Sequence, residues 1–281
     1  MSLALAPALP EAFARPAAAE PAARAFSAEL RVLSELVRRE VRLQYRGTAL
    51  GFLWCVANPL ASSVIYAGLL GTCFGAASTS AISVMAAVIP WSGFAAAVCA
   101  GAHAPLTHAA LFRGHRVAVR TLSAAAALAA LPAMLVGVSL LALSSTASAA
   151  SPAHVVALLA SLLAVTALQA ALAISLAWLL ALANAVVRDV QHALQYALRA
   201  LFWLTPVLWT TAQLPARFAP YAWLVRANPL TGLFEAYRSI LAGGPVPDAL
   251  SLAPALVTTL ALAYLAHTIE RALGRRIAEL L

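Results

Sequence analysis

The chain has 281 residues, 63% of them hydrophobic and only 10% charged, with a mean hydropathy of +0.88. A water-soluble domain cannot bury that much apolar surface, so a soluble globular protein is excluded and the surplus must face lipid. The formal net charge is +8 and every basic residue is an arginine; because these arginines are not interleaved with aromatics on a soluble segment, they read as membrane topology and headgroup contacts, not as a nucleic-acid footprint.

Residues 1–26 are rich in Ala and Pro and have neither the basic start nor the long apolar core of a signal peptide, so they read as a flexible cytoplasmic tail. From 27 to 46, Leu30, Leu33, Val37, Val41 and Tyr45 recur at helical spacing, with Arg31, Glu35, Arg38 and Arg42 on other faces. That pattern predicts an amphipathic helix lying in the membrane interface, with Ser27 as its N-cap and Glu35–Arg39 as an i,i+4 pair. Gly47 and Gly51 then let the chain turn from in-plane to spanning.

A membrane crossing needs about 20 apolar residues. Stretches at about 53–74, 82–102, 122–143, 155–183, 193–212 and 250–269 qualify or nearly do so. The fourth exceeds one membrane thickness and is expected to tilt. In the fifth, Arg199 is read as lying close enough to an end to snorkel. Six crossings put both termini on one side. Twelve arginines fall on that side, against Arg217, Arg226 and Arg238 on the other, which makes the terminal side cytoplasmic. Between the second and third spans, LTHAALFRGHRVAVRT is a cytoplasmic loop long enough for one short docking helix. Between the fifth and sixth, 213–244 holds several prolines and two apolar pieces too short to cross. They predict short re-entrant helices beside a wet cavity. The expected fold is therefore an all-α integral membrane domain over 27–281: an N-terminal interface helix, six transmembrane helices, and short re-entrant helices before the sixth.

Chemistry is sparse. A phosphate-binding GxxxxGK[ST] loop needs a lysine, and the chain has none. HExxH and GxSxG are absent, the six histidines are scattered, and Cys55, Cys73 and Cys99 lie in apolar runs without CxxC spacing. Asp189 and Glu235 fall on opposite sides by this topology. No catalytic residue, metal ligand or cofactor is predicted, and a membrane-embedded glycosyltransferase would need a carboxylate or metal cluster that is missing. Nor do the spans hold the acids that ion-driven transport requires. If the protein moves a solute, the energy comes from a separate cytoplasmic ATPase.

RREVRLQYRGTALGFLWCVANPL, ALANAVVRDVQHALQYALRALFWLTPVLW and VRANPLTGLFEAYRSILAGG, in that order and at those depths, resemble the membrane subunits of ABC-2 type exporters, in particular the permeases that export O-antigen, teichoic acid and capsule polysaccharides. The resemblance extends from about 30 to the end. It implies a homodimer in the bacterial inner membrane, bound to two copies of an ATPase that holds the ATP and Mg, and a substrate made of a glycan on a polyprenyl diphosphate. It also implies a coupling helix at about 107–117 and periplasmic gate helices at about 215–241. On this reading Arg39, Arg42, Tyr45, Arg46 and Gly51 receive the substrate headgroup, since arginine's planar fork suits phosphate oxygens. Channel-lining candidates are Phe52, Trp54, Asn58, Tyr66, Phe202, Trp203 and Trp209. The gate comprises Phe218, Tyr221, Trp223, Asn228, Pro229, Glu235 and Arg238, with the last two expected to form an i,i+3 pair. Phe112, Arg113, His115, Arg116, Arg188 and Asp189 are assigned to ATPase coupling. The alternative is an ABC-2 permease for a small amphiphile such as a drug or lipid, which would differ in channel polarity.

Overall fold

In the computed structural model, residues 22–45, 81–108, 117–146, 151–214, 216–242, 244 and 248–280 are described, with 53, 54, 57, 60, 61, 64, 65, 68 and 69 at scattered positions between the first two stretches. The amphipathic pattern forms helix α1 (Ala22–Tyr45), which starts five residues before the predicted point. Ser27 is thus inside the helix and is not its N-cap. The run Ala-Ala-Arg-Ala-Phe that precedes it is made largely of strong helix formers and carries the helix back past the serine.

Among the described residues, four helices are long and apolar enough to cross a membrane: α2 (Ala81–Thr107), α3 (Val119–Thr146), α4 (Pro152–Val186) and α8 (Ala249–Leu280). They correspond to the second, third, fourth and sixth predicted spans. α4 starts where Ser151 accepts a hydrogen bond from the His154 amide and Pro152 supplies a preset first-turn angle. The fifth predicted span is interrupted. Helix α5 (Val190–Leu204) stops because Pro206 drives Thr205 into extended backbone, at φ −95° and ψ 143°. The chain continues through two 3-10 turns, Thr211–Gln213 and Ala216–Tyr221, into the short helices α6 (Ala222–Ala227) and α7 (Pro229–Leu241).

α2, α3 and α4 pack mutually, and α8 packs on α4. Small residues permit this. A Cβ added at Gly101 would sit 2.7 Å from the Ala177 Cβ and 2.8 Å from the Ser123 carbonyl oxygen, so α2, α3 and α4 meet there with no room to spare. Two buried amides donate to backbone: Gln169 of α4 to the Pro90 carbonyl at 2.7 Å, and Asn184 to that of Ala102 at 3.1 Å. At one end, α1 lays Leu36, flanked by Val32, Leu33 and Val37, onto Leu122, Ala126, Leu182 and Ala266. At the other, α7 is tucked into the bundle with Leu230, Leu233, Phe234 and Tyr237 all buried. Gly232 lets it touch α8, since any side chain there would overlap the Ser251 carbonyl.

Candidate functional site

At the α1 end, two acids of α1 hold the two stems of the interval 109–116. On the α2 stem, His108 Nε2 lies 3.0 Å from Glu40 Oε1, close but off the hydrogen-bonding direction. The imidazole still holds the Glu40 carboxyl below its ordinary value of 4.5, against the opposing effect of burial. On the α3 stem, the Arg120 guanidinium donates to both Glu29 oxygens, at 2.9 and 3.0 Å, and Thr121 Oγ1 donates to the same carboxylate at 3.0 Å. Glu270 of α8 joins the cluster, accepting from Trp178 Nε1 at 2.9 Å and from the Arg120 amide at 3.4 Å. Arg39 and Arg42 are exposed on the same helix, and Tyr45 closes it. A cavity of about 480 Å³ opens on the face of α1 that carries Glu40, Leu43 and Gln44, lined also by His103 and Thr107 of α2; Arg39 and Arg42 are not among its lining residues. Arg38 pairs with Glu35 at 3.3 Å, an i,i+3 contact that replaces the predicted Glu35–Arg39 pair.

The middle of the bundle carries an aromatic group. Trp91 of α2 meets Phe202 of α5 at 5.5 Å between ring centroids and Phe234 of α7 at 6.2 Å, and Phe202 meets Trp203 at 5.5 Å edge to face. A cavity of about 400 Å³ between α2 and α5 is lined by Trp91, Ser92, Ala95, Arg199, Phe202 and Trp203. α5 has two faces. Leu194 and Leu198 are buried in the bundle, while His192, Tyr196, Arg199 and Trp203, spaced four, three and four residues apart, are exposed along the other side. Arg199 lies five residues before the end of α5 and shares its cavity with Trp91, Ser92 and Ala95, halfway along α2.

At the α7 end, Asn228 starts α7 as expected: its side chain accepts from the Leu230 amide and Pro229 follows at the first turn. It also donates to Thr205 Oγ1 at 2.8 Å, bracing the break after α5. The expected Glu235–Arg238 ion pair does not form. Glu235 accepts from Thr211 Oγ1. Arg238 turns to backbone and donates to the Ser83 carbonyl at 3.2 Å, Pro206 at 2.7 Å and Val207 at 2.5 Å. Carbonyls freed by the proline break are better placed for the guanidinium fork than a carboxylate one turn back. Phe218, Tyr221 and Trp223 are exposed on the preceding turns, and Trp209 is half-buried in the break itself.

Arg188 and Asp189 form the exposed turn between α4 and α5, on the α1 end. Trp54 is exposed. Arg46, Gly51, Phe52, Asn58, Tyr66, Phe112, Arg113, His115 and Arg116 lie outside the described residues, and with them most of the first predicted span and the expected coupling helix. Sequence reasoning missed Glu29, Arg120, Glu40 and His108, whose pairing spans distant parts of the chain. It also missed the α5 stripe, which was readable from its spacing.

A bundle of apolar helices with an amphipathic helix packed on one end and a tucked-in short helix at the other is the architecture of a membrane permease domain. The chain belongs to the ABC-2 type transporter family, whose model matches residues 31–242. It is 26% identical over 249 residues to the O-antigen export system permease protein RfbA of Myxococcus xanthus, a match covering 88% of this chain and 94% of that one.

Proposed function

We propose that this chain is the membrane-spanning permease subunit of an ATP-driven exporter that moves a polyprenyl-diphosphate-linked polysaccharide from the cytoplasm across the bacterial inner membrane. The observation that carries the reading is the relationship, nearly end to end, to a permease named for O-antigen export. It works as a homodimer, because a polymer-width path is more easily built between two bundles than inside one. Two copies of a cytoplasmic ATPase bind the ATP and Mg.

The α1 end is cytoplasmic, with both termini, and the first and fifth spans complete six crossings. The exposed Arg39 and Arg42 on α1 suit an arriving diphosphate. The interval 107–117 docks the ATPase, supported by the ties of both its stems to α1. The segment 215–241 closes the periplasmic exit, and Phe202, Trp203 and Trp209 supply flat faces for sugar rings.

Deleting the gene should leave the polysaccharide inside the cell and absent from the surface, and restoring it together with its ATPase should return the polymer outside. The purified chain alone should hydrolyse no ATP. Normal surface polysaccharide in the deletion strain would refute the reading.

A further inference from the structure

The exposed stripe on α5 cannot face lipid. His192, Tyr196, Arg199 and Trp203 fall within about 60° of one another on a helical wheel, at 100° per residue. Tyr196 and Trp203 are 69% and 68% exposed. Arg199 lies nine residues into α5, about 13 Å from its start at a rise of 1.5 Å per residue. Its shared cavity with Trp91, Ser92 and Ala95 independently sets it level with the centre of α2. A charge held within the bilayer is costly unless it meets water or a counter-ion.

No protein counter-ion is at hand. Among the described residues no carboxylate lies within ion-pairing distance of Arg199, whose one noted partner is the Tyr196 ring at 5.8 Å. A second copy offers none at this depth either: the acids nearest in sequence, Asp189 and Glu235, belong to the two ends, and residues 53–74 contain none. Two stripes apposed across a dimer axis would set Arg199 against its own copy. Water and a mobile anion remain.

We infer that the α5 stripe lines an aqueous path and that Arg199, flanked by Tyr196 and Trp203, is a binding site for a negatively charged group of the passing glycolipid: phosphate or carboxylate on the guanidinium, sugar rings on the aromatic faces. This deepens the export reading and rests on it for the identity of the cargo. The anion has two sources, the lipid diphosphate or acidic sugars of the glycan. A guanidinium accepts either, bidentately.

The test uses the complete exporter in nanodiscs, with Cys55, Cys73 and Cys99 replaced by alanine and single cysteines at Tyr196, Trp203 or, as a lipid-facing control, the exposed Val257 of α8. An anionic sulfonatoethyl thiosulfonate should modify Y196C and W203C but not V257C. At W203C it should outpace its trimethylammonium counterpart by about fivefold, a preference that R199Q removes. Undecaprenyl diphosphate in the nanodisc and oligogalacturonate in the buffer are the two competing probes. Protection of W203C by the first assigns the site to the lipid headgroup, and by the second to acidic sugars. Protection by neither, equal rates with both reagents, or spontaneous W203C disulfides between protomers would overturn the inference. Because the labelling needs no export, failure here is separable from failure of the deletion experiment.

Discussion

Arg238→Met tests the idea that one guanidinium holds the α7 end together. Methionine keeps most of the side-chain volume but leaves the carbonyls of Ser83, Pro206 and Val207 without their donor. Each orphaned buried acceptor costs about 1–3 kcal/mol, and hydrogen bonds from a charged donor sit at the upper end of the usual range. Pro206 and Val207 are themselves buried, so water cannot readily replace the donor there, whereas Ser83 is half-exposed and can be rehydrated. Two acceptors at full cost and one at little give an expected loss of about 2–6 kcal/mol. Arg238→Lys, which keeps the charge but not the fork, should fall between methionine and wild type. The assay is denaturant unfolding in detergent micelles with tryptophan fluorescence as the readout, since Trp209 sits in the break. Unfolding of the methionine variant within about 1 kcal/mol of wild type would show that the three carbonyls find other partners and that the guanidinium is not what joins these segments.

Charge reversal at the α1 end should behave as a pair. Glu29→Arg and Arg120→Glu should each weaken ATPase-coupled export, and the double variant should recover much of it, although the partly exposed pair itself is worth only about 0.5–1 kcal/mol. Recovery no better than the worse single variant would count against the contact. Because the Glu40 carboxyl is held below 4.5, its ionised form favours the docked α1 at neutral pH, and that contribution is lost as the pH falls below this value. Hydrogen exchange of α1 should accordingly rise at acid pH, and Glu40→Gln should flatten the profile. Gly101→Val should overlap Ala177 and Ser123 and cost about 2–3 kcal/mol or prevent assembly, read as loss of folded protein on size exclusion.

Much of this architecture could be read from apolar run lengths, because lipid imposes one rule on every spanning segment. α2, α3, α4 and α8 stand within a few residues of where hydropathy put them, apart from helical extensions into the polar zones. The end of α5 was harder to see. An apolar run continues past Thr205, and hydropathy outweighed the local signal of Pro206. Spacing also misled at Glu235 and Arg238, which are correctly placed for an i,i+3 pair. What wins is a set of carbonyls supplied by residues 83, 206 and 207, and no local pattern reveals them. The same limit hid the α1 contacts, since Glu29 and Arg120 are 91 residues apart in the chain. The aromatic residues were visible as types. That Trp91 joins Phe202 to Phe234 depends on three helices meeting, which composition does not encode.

The two ties between α1 and the stems of 109–116 have a mechanical consequence. Glu29 and Glu40 are eleven residues apart, about 16 Å along the helix axis. A single attachment would let α1 pivot freely and pass on only a push. Two attachments on a stiff rod pass on torque as well, so unequal movement of the two stems becomes a change in the tilt of α1. Arg39 and Arg42 flank the Glu40 attachment, at the far end from Glu29, and therefore swing through the larger arc when the α3 stem is the fulcrum. A relative movement of the two stems would arrive at those guanidiniums as a lift or a drop against the body of the bundle, geared through one helix.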